Sequence, residues 1–257
     1  MSEQTMNVHT LQDMLVNGEN VTVLDIRHTE DYQEWSIPGS THVDAYDALK
    51  SKDPQALKAV QLQPDRPVVT ICGAGVVSLE AAHQLRQQGY EALSLAGGMK
   101  AWSLAWNSAT VPTQSPDLHI IQIRRTDKGC LSYLIGSGKE AVVVDAAVDP
   151  QIYLELAQQH GWQITQVLDT HIHADHLSRS RRLAESSGAT LHLPAQERVT
   201  YPFTAAQDQD VLTVGSIQVK VIHTPGHTLE SMCYLVNDEA LITGDTLFLT
   251  AVGRPDL

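Results

Sequence analysis

Short apolar runs alternate with helical patterns over the first hundred residues of the chain. The three clearest runs are continuous, as in strands buried on both faces, and lie at residues 21–26, 68–72 and 92–95. Apolar residues recur at helical spacing from Leu79 to Arg86, before Gly89, and weaker helical patterns cover residues 11–15 and 99–106. This alternation predicts an α/β domain with a mostly parallel sheet and helices on both faces.

A small, polar segment without periodic apolar residues interrupts this pattern at residues 108–117. It contains two prolines and is typical of a linker, so we expect one domain over residues 1–107 and another over 118–257. In the second domain the pattern predicts strands at 118–123, 131–135 and 141–144, a hairpin turn at 126–129, a helix at 150–160 and a buried strand at 164–169.

Composition and charge exclude several classes of protein. The 257 residues carry a net charge of −13 and no extended basic tract, which argues against a nucleic-acid partner. No apolar run approaches the roughly 18 residues that span a bilayer, and the first residues lack a signal-peptide pattern, so we expect no membrane association and a cytoplasmic location. The three widely spaced cysteines fit a reducing compartment. A homo-oligomer remains open.

Potential metal ligands are concentrated directly after the buried strand at 164–169. Within six residues the chain has three histidines and an aspartate: His171, His173, Asp175 and His176. Imidazole and carboxylate together suit zinc, iron or manganese better than magnesium or calcium. A chance cluster on a polar loop is the alternative, but the spacing is that of a metal motif and further ligand candidates follow.

Two of these further candidates are His227 and Asp245. They follow the strand-like runs 219–223 and 240–243, and each lies on a turn that contains glycine. Taken alone, each would more often be an ordinary turn residue. Together with the first cluster, they predict that three strand ends converge on one metal.

Three segments now resemble a known family: His171–His176, Thr224–Thr228 and Gly244–Phe248. In order and approximate spacing they resemble the metallo-β-lactamase superfamily, over about residues 118–257, and this implies an αββα sandwich. The ending Gly253–Leu257 resembles the persulfide dioxygenase branch more than glyoxalase II or the lactamases. The resemblance also implies that the sandwich continues beyond residue 257, so we expect it to be incomplete at its C-terminal end and its oxygenase activity to be weak or absent.

The persulfide dioxygenase branch implies one Fe(II) per chain, held by His173, His227 and Asp245. Such a triad leaves positions open for a persulfide and O2. Three other residues would then orient the ligands or the substrate: His171, Asp175 and His176. Arg254 is a further candidate for a substrate contact. Zinc is the alternative metal, but a second metal position would need another histidine from further along the chain.

The first domain contains one cysteine in a distinctive setting. Cys72 directly follows the strand at 68–71 and precedes a helix, and the loop that follows it consists of Gly73, Ala74, Gly75, Val76, Val77 and Ser78. Two glycines allow backbone N–H groups to face the sulfur, and the helix N-terminus favours negative charge. A buried, inert cysteine is the alternative, but this placement favours a reactive thiolate or persulfide.

The first domain also resembles a family across about residues 5–107. The segments that carry the resemblance to the rhodanese domain are Leu24–Arg27, Ile37–Ser40, the Cys72 loop and Leu95–Trp102. It implies sulfur transfer through a persulfide on Cys72. A phosphatase of related fold is disfavoured because Ser78 stands where an arginine would clamp phosphate. The loop has no charged residue, which favours an uncharged or partner-delivered persulfide over thiosulfate.

The two resemblances together predict a persulfide dioxygenase fused to a rhodanese. Its substrates would be O2 and a low-molecular-weight persulfide, with glutathione persulfide the best candidate, and its products sulfite and thiol. One alternative is a zinc-dependent thioester hydrolase similar to glyoxalase II. The other is a sulfur carrier or sensor that uses Cys72 alone.

Overall fold

The structure is a computed structural model that describes residues 4–126, 129–173 and 178–255. Contacts between residues divide the chain into two units, Met1–Ala105 and Trp106–Leu257. No helix in these described ranges is long and apolar enough to cross a membrane.

The first unit alternates strands and helices as the apolar pattern predicts. Its elements are β1 (Thr5–Met6), α1 (Val8–Val16), β2 (Thr22–Asp25), α2 (Thr29–Glu34), β3 (Thr41–His42), α3 (Tyr46–Lys50), β4 (Val68–Ile71), α4 (Val77–Gln87), β5 (Ala92–Leu95) and α5 (Gly98–Trp102). The strands form one sheet in the order β1-β5-β4-β2-β3. All neighbouring strands are parallel.

Both faces of this sheet are buried, which explains the continuous apolar runs. On β4, Val68 belongs to a core shared with Ala81 and Leu85 of α4, whereas the next residue, Val69, packs in a second core with Leu11 and Trp102. Successive strand residues point to opposite faces, so apolar residues are needed at neighbouring positions of each run and not only at alternate ones. The predicted parallel sheet with helices on both faces is confirmed.

The second unit contains two sheets and two helices among its described residues. Its elements are β6 (Trp106–Val111), β7 (His119–Arg125), β8 (Leu131–Ser137), β9 (Glu140–Val144), α6 (Pro150–Gln159), β10 (Gln163–Leu168), α7 (Ser180–Ser187), β11 (Thr190–Pro194), β12 (Thr204–Ala206), β13 (Val211–Val214), β14 (Ile217–His223), β15 (Met232–Val236) and β16 (Ala240–Ile242).

The larger sheet is mixed and the smaller one is antiparallel. Seven strands follow the order β12-β11-β10-β9-β8-β7-β6, and four follow β13-β14-β15-β16. Neighbours from β12 to β9 are parallel, and those from β9 to β6 are antiparallel. The predicted pairing of the strands at 118–123 and 131–135 is thus observed, although Asp127 and Lys128 of the predicted turn lie outside the described residues.

Two hydrophobic cores lie on opposite faces of the larger sheet. On β9, Val143 packs toward Tyr153 of α6 and Leu183 of α7, whereas Val142 packs with Val221 of the smaller sheet. The helices cover one face, and the smaller sheet covers the other. This arrangement confirms the predicted metallo-β-lactamase-like α/β sandwich.

The predicted linker at residues 108–117 is wrong for its first part. Residues 106–111 form β6, which pairs with β7 from Trp106 opposite Arg125 to Val111 opposite Ile120. Because β6 is an edge strand with mostly exposed side chains, it has no apolar alternation that could reveal it. The helix expected up to residue 106 ends earlier, at Trp102, because the chain enters β6 at Trp106.

Candidate metal centre and cysteine loop

Three loops of the second unit carry the candidate metal ligands. They follow β10, β14 and β16, which end at Leu168, His223 and Ile242. The two sheets are joined close to these loops, because the hydroxyl of Tyr234 on β15 donates to the carbonyl of Asp169 at 2.7 Å. The candidate ligands therefore lie on loops that are held in place where the strands end.

Each of the three loops contributes one potential metal ligand, and the three ligand atoms lie close together. Ligand atoms of His171, His227 and Asp245 all lie within 4.8 Å of one another. Nε2 of His227 is 3.6 Å from Oδ2 of Asp245, and the rings of His171 and His227 are 4.9 Å apart in an edge-on arrangement. The convergence expected of His227 and Asp245 is present, with a histidine of the first motif as the third member.

The third member of this group is His171, whereas the ligand set expected from the sequence has His173. Among the described residues, His173 groups instead with Asp145 and Asp169, and its Nε2 lies 3.1 Å from Oδ1 of Asp145. The physical reason is that residues two apart on a loop can face different partners. Asp175 and His176 lie outside the described residues.

Hydrogen bonds fix which nitrogen of His171 faces the centre. The hydroxyl of Thr170 donates to Oδ2 of Asp145 at 2.9 Å, so its oxygen can only accept the bond from Nδ1 of His171, also at 2.9 Å. Nδ1 therefore carries the proton, and the lone pair of His171 lies on Nε2.

His227 is oriented in the same way by the end of the described chain. Its Nδ1 lies 3.0 Å from the carbonyl oxygen of Arg254, and a carbonyl can only accept, so Nδ1 is the donor. A Cβ on Gly253 would overlap the carbonyl of Asp245. Because glycine has no Cβ, this segment can lie directly against the ligand loops. Arg254 thus contributes its backbone carbonyl here, and a substrate contact by its side chain remains a prediction.

This donor set fits a zinc or iron ion. Two imidazoles and one carboxylate are borderline and hard donors that both metals accept. Burial, together with the nearby His173, lowers the pKa of His171 to about 4, so the imidazole is neutral near pH 7 and its lone pair is available. Nitrogen orientation, protonation state and spacing therefore agree with one metal position.

The group formed by Asp145, Asp169 and His173 supports the candidate metal ligands His171, His227 and Asp245. Asp145 accepts from the backbone N–H of Thr170 at 2.7 Å, besides its bonds to the side chains of Thr170 and His173. Asp169 accepts from the hydroxyls of Ser178 and Ser180. These hydrogen bonds tie both carboxylates to the segment after β10 and help to hold the loop of His171 in place.

The two carboxylates of this cluster titrate differently. Burial raises the pKa of Asp145, but hydrogen bonds from His173 and Thr170 outweigh it and hold that pKa below the ordinary value. For Asp169 burial dominates and raises the pKa to about 6. As the pH falls, Asp169 is therefore protonated before Asp145, which keeps its negative charge next to Thr170 and His173.

A cavity of about 1060 Å³ opens beside both clusters. Its polar wall includes Asp145, His173 and Asp245, and its apolar wall is formed by Leu131, Tyr133, Leu247, Phe248 and Leu249. A small-molecule substrate fits a space of this size. The sequence did not reveal this wall, because β8 carries no motif and meets the segment after Asp245 only through the fold.

The loop of the first unit surrounds the sulfur of Cys72 with donors. The backbone N–H groups of Gly75 and Ser78 point at Sγ from 3.1 and 3.4 Å, and the hydroxyl of Ser78 lies 3.2 Å from it. Behind Ser78, the hydroxyl of Ser94 on β5 is 2.8 Å away. These contacts agree with the cradle expected from the sequence, although Ser94 had no sequence signal.

The cradle favours the thiolate. Burial raises the pKa of Cys72, but hydrogen bonds from the hydroxyl and N–H of Ser78 and from the N–H groups of Ala74 and Gly75 outweigh burial and lower that pKa overall. A sulfur held by amide and hydroxyl dipoles is a better nucleophile near neutral pH than an ordinary thiol.

Fold and site together define a class, a metal-binding α/β sandwich joined to an α/β domain with a cysteine loop. Residues 125–257 match the metallo-β-lactamase superfamily, and residues 7–105 match the rhodanese-like domain. The chain belongs to the metallo-β-lactamase superfamily and carries a rhodanese-like domain before it.

Individual relatives resemble the second unit. A hydroxyacylglutathione hydrolase of Rhizobium johnstonii is 36% identical over 141 residues, which cover 54% of each chain. A metallo-β-lactamase structure from Staphylococcus aureus is 33% identical with a TM-score of 0.51, over 56% of this chain and 48% of that one. The structure of ETHE1 from Myxococcus xanthus is 30% identical with a TM-score of 0.50, over 54% and 62%. The chain spans about half the length of the curated relatives it matches.

Proposed function

We propose that this protein is an iron-dependent persulfide dioxygenase in which the rhodanese-like unit handles the same sulfur. The observation that carries the proposal is the combination, in one chain, of a thiolate cradle at Cys72 with a two-histidine, one-carboxylate set at His171, His227 and Asp245. The likeness to ETHE1 supports the dioxygenase interpretation.

The proposed reaction balances without a further reductant. A persulfide RSSH, one O2 and one water give the thiol RSH, sulfite and two protons. The sulfane sulfur is oxidised from the zero to the +4 state, and the four electrons reduce O2. The S–S bond breaks, and the departing sulfur atom of RSH takes up a proton.

The residues of the second unit would bind and orient the substrate. A bound iron supplies the redox chemistry with O2. His171 and His227 present Nε2 toward the centre because their Nδ1 atoms are engaged by Thr170 and Arg254. The apolar side of the cavity, with Leu131 and Phe248, would exclude water from the sulfur.

The first unit would load or unload sulfane sulfur. Attack of the Cys72 thiolate on a persulfide donor forms Cys72–S–S⁻ and releases the donor thiol. The one negative charge, carried first by the thiolate and then by the persulfide, would be stabilised by the cradle of N–H groups and the Ser78 hydroxyl. The Cys72 loop contains no charged side chain, which favours a low-molecular-weight persulfide such as glutathione persulfide over the thiosulfate dianion.

A zinc-dependent thioester hydrolase is the second candidate. The observation in its favour is that curated relatives of the second unit are named hydroxyacylglutathione hydrolase. The same donor set accepts zinc, and zinc lowers the pKa of a bound water. Both candidates act on a glutathione derivative, so the metal and the reaction must separate them.

The test is to purify the protein anaerobically without added metal and to quantify iron and zinc. Samples reconstituted with each metal are then given an S-acylglutathione thioester. The dioxygenase proposal predicts about one iron per chain and no thioester hydrolysis above the metal-free background. If zinc were the native metal and the protein hydrolysed the thioester rapidly, the dioxygenase proposal would be wrong and the zinc-dependent hydrolase would take its place.

A further inference from the structure

Thr170 touches all three loops that carry the candidate ligands. It directly precedes His171, and its hydroxyl lies between Nδ1 of that residue and Asp145. Its carbonyl accepts the N–H of Met232 at 2.8 Å, where β15 begins after the loop of His227. Its side chain also lies so close to Gly244 that a Cβ there would overlap the Thr170 hydroxyl.

We propose that Thr170 is the positioning residue of the metal centre and that its hydroxyl, bridging Asp145 and His171, holds the lone pair of His171 on the metal side. The inference rests on the metal centre of the proposed function, whichever metal is native. Thr170 is only 1% exposed, so water cannot replace its hydroxyl without a rearrangement of the loop.

The geometry makes two separate roles possible for this side chain. The hydroxyl sets the tautomer of His171 through its bond to Asp145. The methyl group fills space against Gly244, which precedes Asp245. Of these, the hydroxyl role follows from donor chemistry, because Asp145 leaves the hydroxyl oxygen only an acceptor role toward Nδ1. The methyl contact contributes packing alone.

Two substitutions separate the roles. Thr170→Val keeps the shape and removes the hydroxyl, whereas Thr170→Ser keeps the hydroxyl and removes the methyl. Zinc and cobalt affinities are measured by competition with a chromophoric chelator, using the full chain. Loss of a group that orients a metal-binding histidine weakens affinity about 10- to 100-fold, so we expect that loss for Thr170→Val and near wild-type binding for Thr170→Ser. Thr165→Val on β10 is the control for a lost hydroxyl outside the centre.

A second measurement does not depend on metal. Long-range proton–nitrogen NMR of the metal-free protein reports which ring nitrogen of His171 is protonated. Protonated Nδ1 is expected in the wild type and in Thr170→Ser, and this signature should disappear in Thr170→Val. A wild-type His171 protonated on Nε2 would overturn the inference even if the variants failed to fold.

The binding results also distinguish a failure of the positioning role of Thr170 from a failure of the proposed metal centre. Equal affinities for wild type and Thr170→Val, or an equal loss in Thr170→Ser, would overturn the positioning role and leave the metal centre intact. A wild type that binds neither zinc, cobalt nor iron would overturn the metal centre of the proposed function, and the inference with it.

Discussion

Among the described residues, Ser78 is the one whose side chain donates to the sulfur of Cys72. The other donors to this sulfur are backbone N–H groups, which substitution cannot remove. A hydrogen bond to a charged group contributes roughly 1.5–3 kcal/mol, and one pKa unit corresponds to about 1.4 kcal/mol. Ser78 is therefore the position at which the acidity of the thiol can be tested.

Replacement Ser78→Ala should raise the pKa of Cys72 by about one unit. The wild-type pKa is lowered by this hydroxyl, so its thiolate forms at lower pH, and the variant should need higher pH for the same thiolate fraction. The rate of alkylation by iodoacetamide, followed at Cys72 by mass spectrometry across pH, measures this midpoint.

The exposed Ser51 provides the matched control, because its hydroxyl bonds only to the carbonyl of Ala48 within its own helix. Ser51→Ala should leave the alkylation profile unchanged. An unchanged or lower midpoint in Ser78→Ala would mean that the N–H groups alone set the pKa of Cys72.

His171 and His173 offer a second comparison at this scale. His171→Ala removes a member of the donor set, so metal content after purification should fall below about a tenth of wild type. His173→Ala removes a donor to Asp145 that is not a member of this set, so the metal should stay bound with an affinity reduced about tenfold. Equal loss of metal in both variants, measured by elemental analysis, would contradict the assignment of His171.

The sequence could identify the motif of these histidines but not their individual roles. Spacing shows that His171 and His173 lie on one loop after a strand, and this is sufficient to predict a metal site. Which of them faces His227 and Asp245 depends on the acceptor that each ring finds, Thr170 for His171 and Asp145 for His173, and Asp145 comes close only through the fold. Cys72 could be predicted better, because its neighbours in sequence form its cradle.

At the scale of elements, the cysteine loop depends on close backbone packing against the start of α5. Gly75 has φ +78°, and a Cβ there would lie 2.6 Å from the backbone nitrogen of Gly97. A side chain at this position is thus opposed both by the left-handed conformation and by the neighbouring backbone.

Gly75→Ala should therefore destabilise the first unit and slow persulfide formation on Cys72. Gly39 has the same φ of +78°, and a Cβ added there would have no atom within 4 Å, so Gly39→Ala isolates the conformational cost, about 1–2 kcal/mol. In urea unfolding, the loss of unfolding free energy in Gly75→Ala should exceed the loss in Gly39→Ala by at least about 1 kcal/mol. Equal losses would show that the loop adjusts to the added methyl group.

Elements with buried faces were predictable, and edge elements were not. The runs at β2, β4, β5 and β9 carry apolar residues on both faces because both faces of their sheets are covered. The edge strand β6 has exposed, polar side chains, and its strand conformation comes from pairing with β7. Tertiary pairing of this kind leaves no pattern in the sequence.

At the scale of the whole molecule, the proposed metal ligands all belong to the second unit. Metal that binds only the folded state stabilises it by about 2.7 kcal/mol when its free concentration is 100 times Kd. Removal of the metal with a chelator should thus accelerate amide hydrogen exchange in peptides covering residues 163–173 and 217–246, by up to about 100-fold.

Peptides covering residues 68–105 should keep their exchange rates under the same treatment, since they contribute no ligand. Acceleration in both units would mean that metal binding is coupled to the stability of the first unit. No acceleration anywhere would mean that the metal does not bind at the three strand ends.

The central claim is that the chain oxidises a persulfide with O2 at an iron held by His171, His227 and Asp245. The most direct test is O2 uptake by the iron-loaded protein with glutathione persulfide, measured with an oxygen electrode while sulfite is quantified. The account predicts uptake of O2 and release of sulfite in equal amounts, with neither in the zinc-loaded protein nor in His171→Ala. No O2 uptake by the iron-loaded protein, or uptake that His171→Ala leaves unchanged, would contradict it.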